Sequence, residues 1–420
     1  MSNKIKEYIT LDLGIYFFGQ FFNLISPLLV VPYIISVCGI KNFGKSSVAL
    51  ALVFFAIVII DYGSDIIGVK QVATNIDKKS MLKNIFMTNM LARLLVLVLI
   101  ILTLSIIFLL VPYFASEKAL FYLTLTILIG QYMNPTWFLQ GLGYFKLISI
   151  LNILSKTSYV ALIFLFIKEP SDYIYINLFL GLGMFFSFSF GILYCFKKDY
   201  IIFKKIKFHQ IKTYLIEGFS FCVSQIFMSF KNYSPIVLIG YLGGFQAAGF
   251  FKIIEQILSV FRTYLQVIFK YLYPKVCFQI DKNFSDGFIF WKRANLANFI
   301  VLFCMLCMIS IGSGLVLHFF GLKPQQILAM QPLLRFALFI PLFISIVYAF
   351  EQLLLSLAKN KIYIKITIIT VVFNFFCMWF LFLQFNLLGL LIAIMITELI
   401  VILCYGFIVF MYLKKKSNES

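Results

Sequence analysis

Charged residues are scarce in this chain of 420 residues, and hydrophobic residues are in large excess. Only 12% of the residues are charged and 62% are hydrophobic, against roughly 25% and 45–50% in typical soluble domains. A globule of this size still needs a wettable surface and cannot hide such a surplus, so a soluble enzyme or binding module is excluded. The sequence predicts an all-α polytopic membrane protein.

Residue types that usually carry catalysis or bind metals are also few. The only histidines are His209, in a predicted loop, and His318, near a predicted helix end, and no Asp-x-Asp cluster stands at an inner face. The eight cysteines lie mostly within or at the ends of apolar runs, where an unpaired Cys packs as a small hydrophobe. We predict no catalytic residue, no metal site and no cofactor. A membrane-embedded enzyme of polysaccharide assembly stays an alternative, disfavoured by the short predicted outer loops.

Apolar runs of about 20 residues are long enough to cross a bilayer as helices, and this chain has enough of them for twelve transmembrane spans. The predicted spans are residues 11–38, 47–69, 85–111, 120–139, 147–167, 174–196, 214–241, 246–273, 294–320, 328–357, 363–385 and 387–412. A basic stretch at 197–212 separates six spans from six. We therefore predict an N-terminal six-helix lobe of residues 1–205 and a C-terminal six-helix lobe of residues 206–420, an arrangement known for transporter halves.

The net charge of +19 is distributed unevenly between the predicted loops. If the N-terminus lies inside, the lysines on the outer side are only Lys41, Lys45, Lys118, Lys168 and Lys323. Cytoplasmic loops of membrane proteins carry the excess of basic residues, so both termini are expected in the cytoplasm. The basic composition therefore indicates topology and not nucleic-acid binding.

Further basic residues fall inside the predicted spans, where a charge costs about 2.5–3.5 kcal/mol on insertion scales. They are Lys156, Lys231, Arg262, Arg93, Lys252 and Arg335. Such residues must face an aqueous cavity, pair with an acid or extend to the membrane surface. We predict that Lys156, Lys231 and Arg262 line a central cationic cavity that attracts anions. Buried salt bridges are the alternative, and for Lys252 and Arg335, near outer helix ends, extension to the surface.

Acidic residues at membrane depth are candidates for coupling to protons or sodium. They are Asp61, Asp65, Glu255 and Glu398. The spacing of Asp61 and Asp65 predicts one shared helix face, as does the spacing of Lys252 and Glu255.

The stretch from Gln131 to Lys146 joins two apolar runs and contains Pro135, Trp137, Gln140 and Gly141. A proline removes a helical hydrogen bond and allows the chain to bend, which predicts a gating role. A tryptophan ring suits the headgroup level of a bilayer. The string Pro-x-Trp-Phe-x-Gln-Gly resembles the signature of Wzx-type O-antigen flippases, the polysaccharide branch of the MOP exporter superfamily. In that family a Glu usually follows the Gln-Gly by two residues, and here Gly143 stands there.

Other stretches resemble the same family in order and in placement along the spans. Residues 61–63 read Asp-Tyr-Gly, like the family's Asp-Tyr-Gly-Phe motif with Ser64 in place of Phe. In the second half, residues 235–240, 249–252 and 272–274 follow the family's order for spans seven and eight.

The resemblance implies a MATE-like, two-lobed flippase that works by alternating access. Its substrate would be an undecaprenyl-pyrophosphate-linked oligosaccharide, an O-antigen or capsule repeat unit, moved to the periplasmic leaflet of a bacterial inner membrane. Its partners would be membrane lipids, a polysaccharide polymerase and glycosyltransferases, with no nucleic acid. A MATE-type multidrug exporter is the alternative within the superfamily. Exporters of organic cations are expected to have an acidic cavity, which the deep basic residues disfavour.

Overall fold

Helices make up the regular structure of the chain in the computed structural model, which describes residues 3–201, 206–357 and 359–419. Within these ranges there is no β-strand. Contacts divide the chain into two compact units, Met1–Tyr233 and Ser234–Ser420. The boundary between the compact units lies inside a helix, and the predicted division into six-helix lobes at residues 205 and 206 stays a prediction.

The first unit begins with a long helix and continues through shorter ones. Its elements are α1 (Asn3–Asp61), a π-helix (Ser64–Gly68), α2 (Val69–Thr74), α3 (Lys79–Leu110), α4 (Pro112–Ala115), α5 (Lys118–Thr124), α6 (Thr126–Tyr132), α7 (Thr136–Gly141), α8 (Phe145–Phe166), a 3-10 helix (Pro170–Tyr175), α9 (Ile176–Lys197) and the first part of α10 (Phe208–Leu242).

The second unit contains the end of α10 and six further helices. They are α11 (Gly244–Lys282), α12 (Phe284–Ile311), α13 (Ser313–Phe319), α14 (Pro324–Ala337), α15 (Ile340–Ser356) and α16 (Asn360–Glu419).

Two of the longest helices are interrupted where the sequence predicts adjacent spans to meet. Gly39 breaks α1 with φ 78° and ψ 161°, and Asn386 breaks α16 with φ 51° and ψ −134°. Glycine adopts positive φ without steric cost, and asparagine tolerates it better than most residues. Each of these helices therefore consists of two consecutive helical segments.

Four predicted spans are not continuous helices in the structure. The span predicted at 47–69 is interrupted after Asp61, where α1 ends, and continues as the π-helix Ser64–Gly68. The span predicted at 120–139 consists of parts of α5, α6 and α7, because Pro135 has no N–H for the helical ladder. The span predicted at 294–320 divides at Gly312 between α12 and α13, and the span predicted at 328–357 divides between α14 and α15.

Seven helical segments are long and apolar enough to cross a membrane, within the residues that were described. They are Ser26–Asp61, Lys79–Leu110, Phe145–Phe166, Pro170–Lys197, Phe284–Ile311, Pro324–Ser356 and Ile362–Lys414. Large apolar side chains such as Leu110 and Ile311 are exposed, which suits a lipid environment. The protein is therefore a multi-span membrane protein, whereas twelve spans and cytoplasmic termini stay predictions. Helices α10 and α11, although long, are not among the seven segments; both carry charged residues along their length.

Candidate functional site

The Asp-Tyr-Gly stretch forms a sharp turn at the end of α1. Tyr62 and Gly63 both have positive φ, 45° and 75°, and a π-helix follows at Ser64–Gly68. A Cβ added to Gly63 would lie 3.2 Å from the Cβ of Phe221, so both the backbone angle and the space favour glycine. The expectation that Asp61 and Asp65 share one helix face is wrong, because this turn removes the α-helical spacing between them. Asp61 is half-buried and Asp65 is exposed.

Arg93, on α3, is buried with 1% of its surface exposed and donates hydrogen bonds to three groups. Its Nη2 lies 3.0 Å from Oδ1 of Asp61 and 2.7 Å from the carbonyl oxygen of Gln131. Its Nη1 lies 3.2 Å from the carbonyl oxygen of Asn134. A buried charge requires a partner, and here one guanidinium connects α1, α3, the last turn of α6 and the residues that follow it.

Pro135 changes the donors of the Gln131 carbonyl, which accepts from the backbone N–H of Asn134 at 3.0 Å and from Arg93. Because proline has no N–H, the carbonyl four residues earlier, that of Gln131, loses its helical donor. The side-chain Nε2 of Gln131 also donates to both oxygens of Asp61, at 3.1 and 2.9 Å. Asn134 then starts α7, since its Oδ1 accepts from the backbone N–H of Thr136 at 3.0 Å. We refer to Asp61, Arg93, Gln131 and Asn134 as the Arg93 hub.

The two motifs of the first unit pack directly against each other. A Cβ added to Gly68 would lie 2.7 Å from Cε3 of Trp137, and one added to Gly141 would lie 2.6 Å from the Cβ of Val72. Trp137 is 2% exposed and stacks on Phe86 with ring centroids 6.0 Å apart. The Trp137 ring is therefore packed inside the first unit, where Gly68 lets the chain approach it closely; its placement at headgroup level stays a prediction.

A second buried polar network lies beside the Arg93 hub. Ser64 and Asn89 are at most 1% exposed. The hydroxyl of Tyr214, on α10, lies 3.0 Å from Oγ of Ser64 and accepts from Nδ2 of Asn89 at 2.7 Å. This network connects the turn after α1, the helix α3 and the first part of α10.

The second unit contains a charged cluster on α11. Nζ of Lys252 lies 2.6 Å from Oε2 of Glu255, as the i, i+3 spacing predicts, and Nη1 of Arg262 lies 3.7 Å from its Oε1. The three side chains are 22%, 21% and 28% exposed. Since two cations share one carboxylate, the cluster has an excess of one positive charge.

The remaining predicted residues lie in separate places. Lys156 is a half-buried residue near the middle of α8, and it has no hydrogen-bond or ion-pair partner among the residues that the structure describes. Lys231 is half-buried on α10, and Glu398 is buried on α16. Arg335 is exposed, and its Nε donates to the carbonyl oxygen of Ser310 at 3.2 Å, beside the break between α12 and α13.

Among the motif residues, Pro135 and Gly141 are buried with Trp137, whereas Gln140 is exposed. The structure thus brings Asp61 and Arg93 to the motif segment, and Lys252 and Arg262 to Glu255. A shared substrate cavity lined by the deep cations stays a prediction.

Sequence reasoning missed several residues of these networks. Gln131, Asn134, Asn89 and Tyr214 stand in or beside apolar runs as isolated polar residues. The available signal was Pro135, whose missing N–H removes the usual helical donor from the carbonyl of Gln131.

Residues 10–277 match the model of a family described as "Polysaccharide biosynthesis protein". The matched region is more than half of the chain and contains the Arg93 hub, both motifs and the α11 cluster. The chain belongs to this family. The resemblance that the motifs predicted is therefore confirmed.

Curated relatives agree with the family match. A protein of Escherichia coli (strain K12) named "Putative O-antigen transporter" is 22% identical over 272 residues, which are 65% of this chain and 66% of that protein, just under two thirds of its length. A protein of Shigella dysenteriae with the same name is 22% identical over 389 residues, covering 91% of this chain and 95% of that protein.

Solved structures of MOP transporters share the fold. The inward closed conformation of the lipid II flippase MurJ has a TM-score of 0.68 at 16% identity, covering 94% of this chain and 87% of that one. The inward-facing conformation of a multidrug resistance MATE family transporter has a TM-score of 0.63 at 17% identity, covering 94% and 99%. The chain thus shares its fold with these two transporters.

Proposed function

We propose that this protein is a flippase of a bacterial cytoplasmic membrane, moving an undecaprenyl-pyrophosphate-linked oligosaccharide, an O-antigen or capsule repeat unit, to the periplasmic leaflet. It works by alternating access between two lobes. A polysaccharide polymerase and glycosyltransferases act with it, because they supply and consume the lipid-linked sugar. The family match and the names of the curated relatives support this substrate class.

The observation that carries the proposal is an excess of partly exposed positive charge at membrane depth. Lys156 has no carboxylate partner among the described residues, and Lys252 and Arg262 share Glu255. An uncompensated cation in lipid costs several kcal/mol, so a mobile anion is the natural partner. The pyrophosphate of the lipid carrier is such an anion, while its polyprenyl tail stays in lipid.

The direction of transport follows from the membrane potential. With the cytoplasm negative, moving an anion outward is favourable by about 2.3 kcal/mol per charge per 100 mV. Asp61 already accepts from Arg93 and Gln131, which disfavours it as a coupling carboxylate. Glu255 is likewise shared by Lys252 and Arg262, so among the predicted candidates Asp65 and Glu398 then remain for coupling to protons or sodium.

The test is flipping of an undecaprenyl-pyrophosphate-linked oligosaccharide in proteoliposomes, read with a membrane-impermeant lectin that reaches only the outer leaflet. We expect the protein to accelerate exposure of the sugar. Lys156→Gln and Arg262→Gln should each slow it roughly 10- to 100-fold, since a hydrogen bond to a charged group contributes about 1.5–3 kcal/mol. Lys118→Gln is the matched control, because it removes an exposed lysine predicted to lie in an outer loop.

Two results contradict the proposal. Wild-type protein that leaves the sugar unexposed while exporting a fluorescent organic cation establishes the multidrug alternative. Undiminished flipping by both variants excludes the deep cations as the substrate site.

A further inference from the structure

A separate cavity of about 320 Å³ lies in the first unit between α2, the start of α3 and the start of α10. It is distinct from the Arg93 hub, and none of the predicted site residues lines it. Its volume is at the lower end of the range of small-molecule sites. Lys70, Lys79, Lys83 and Lys212 belong to the same elements, so the cavity lies at a lysine-rich end of the unit.

Most of the side chains that line this cavity carry polar groups, His209 among them, beside the apolar Met81 and Ile85, and none of the described lining residues is a lysine or arginine. It includes the side-chain amides of Gln71, Asn84 and Gln210 and the hydroxyls of Thr88 and Tyr214. Amides and hydroxyls each offer both donors and acceptors. A neutral ligand with many hydroxyls, a sugar, matches this lining, whereas a phosphate would need cations.

The floor of the cavity is ordered by the network described above. Thr88 and Tyr214 are both buried, at 8% and 5% exposure, and the Tyr214 hydroxyl contacts Ser64 and Asn89. At one side the carboxylate of Glu217 accepts from Nε2 of Gln71 at 3.4 Å. A carboxylate is an acceptor for several hydroxyl groups. The cavity thus combines a fixed floor with acceptors and donors at its wall.

We propose that this cavity is a sugar-binding subsite, which holds a sugar residue of the lipid-linked substrate. The inference rests on the proposed function. It adds to that function a site that recognises the sugar, separate from the cations that bind the pyrophosphate. The lining includes residues of α10, the helix that belongs partly to each compact unit. Sugar bound here therefore contacts an element common to both units.

The experiment measures binding of two probes to the full-length protein in nanodiscs. One probe is undecaprenyl pyrophosphate bearing a single N-acetylhexosamine, and the other is undecaprenyl pyrophosphate without sugar. We expect the wild-type protein to bind the sugar-bearing probe more tightly. Asn84→Leu and Gln210→Leu, which replace an amide by an apolar side chain of similar size, should each reduce that preference roughly 2- to 10-fold, the loss of one hydrogen bond.

The control variant is Gln279→Leu, which removes a half-buried amide near the lysine-rich end of α11; it should keep the wild-type preference. Affinity for the sugar-free probe should be unchanged in all three variants, which also verifies that they fold. Equal wild-type affinity for the two probes, or a preference that survives both cavity substitutions, overturns the subsite and leaves the flippase proposal standing. Failure of the wild-type protein to bind either probe overturns both.

Discussion

Replacing Arg93 by Met tests whether the Arg93 hub holds the first unit together. The substitution removes the donor to three acceptors and leaves the half-buried Asp61 carboxylate with Gln131 as its remaining hydrogen-bond partner. Removing one partner of a buried ion pair costs about 3–5 kcal/mol, because the other charge stays buried without compensation. A domain of 150–250 residues loses about 2–4 °C per kcal/mol. We therefore expect the unfolding midpoint to fall by roughly 6–20 °C.

Trp137 provides a local readout for this measurement. It is buried in the first unit, while the other two tryptophans, Trp291 and Trp379, are in the second. Phenylalanine at both of those positions leaves Trp137 as the sole tryptophan, and its fluorescence on heating in detergent reports the packing beside the Arg93 hub. The midpoint of this single-tryptophan protein is the reference for every variant.

A double variant separates the ion pair from general packing. With Asp61→Asn added, no uncompensated carboxylate remains, so Arg93→Met should cost less than in the presence of Asp61 by about 0.5–3 kcal/mol. The matched control is Arg262→Met, whose arginine is 28% exposed and 3.7 Å from its carboxylate; such a pair contributes at most about 1 kcal/mol. A midpoint for Arg93→Met within about 3 °C of the reference, or strict additivity in the double variant, would refute a stabilising hub.

Three further changes test the packing and the loop contacts with the same assay. Gly141→Ala should lower the midpoint by an amount equivalent to about 1–3 kcal/mol, since its Cβ would lie 2.6 Å from that of Val72; an unchanged midpoint contradicts the close approach. Gly143→Glu introduces the acid that is usual in the family. It should lower the free energy of unfolding by about 1–3 kcal/mol through its φ of 78° alone, because no atom lies within 4 Å of the added Cβ. A variant that aggregates during expression would contradict a cost confined to the backbone angle. Asp199→Asn should lower the midpoint slightly at neutral pH, because Lys83 and then Lys79 hold the pKa of this exposed carboxyl below its ordinary value. That contribution is complete above the ordinary carboxyl pKa and is lost as pH falls through the lowered one, so the midpoints should converge in acid.

Much of the fold was predictable because lipid imposes a simple rule on the sequence. Backbone groups in a bilayer must be satisfied within the segment, so long apolar runs indicate helices, and the breaks at Gly39 and Asn386 follow residues that tolerate positive φ. The sequence predicted only part of the division of the span around Pro135. The proline predicted a bend, whereas three separate helices also depend on how the neighbouring segments pack.

The site was less predictable, since its contacts join residues far apart in the chain. The i, i+3 pair of Lys252 and Glu255 was predicted from spacing, because a helix fixes the geometry of near neighbours. The contact between Asp61 and Arg93 spans 32 residues, and nothing local specifies it. Likewise, a tryptophan in an apolar run suits either a membrane surface or a core. The close approach of Gly68 shows that the Trp137 ring is buried, which the apolar run alone does not.

The deep cations, which the sequence presents as one group, divide physically by the acceptors around them. Arg93 is buried with a carboxylate and two carbonyls, so its charge is neutralised and its burial favours a structural role. Lys156 has no acid partner among the described residues, and Lys252 and Arg262 have one between them, so this second group keeps a surplus that an anionic substrate can neutralise. Depth in the membrane therefore does not separate a structural cation from a candidate substrate residue, and we propose the number of acceptors for each cation as the criterion. It follows that the main effect of Arg93→Met should be a loss of stability. Lys156→Gln and Arg262→Gln should instead slow flipping in a protein that remains folded.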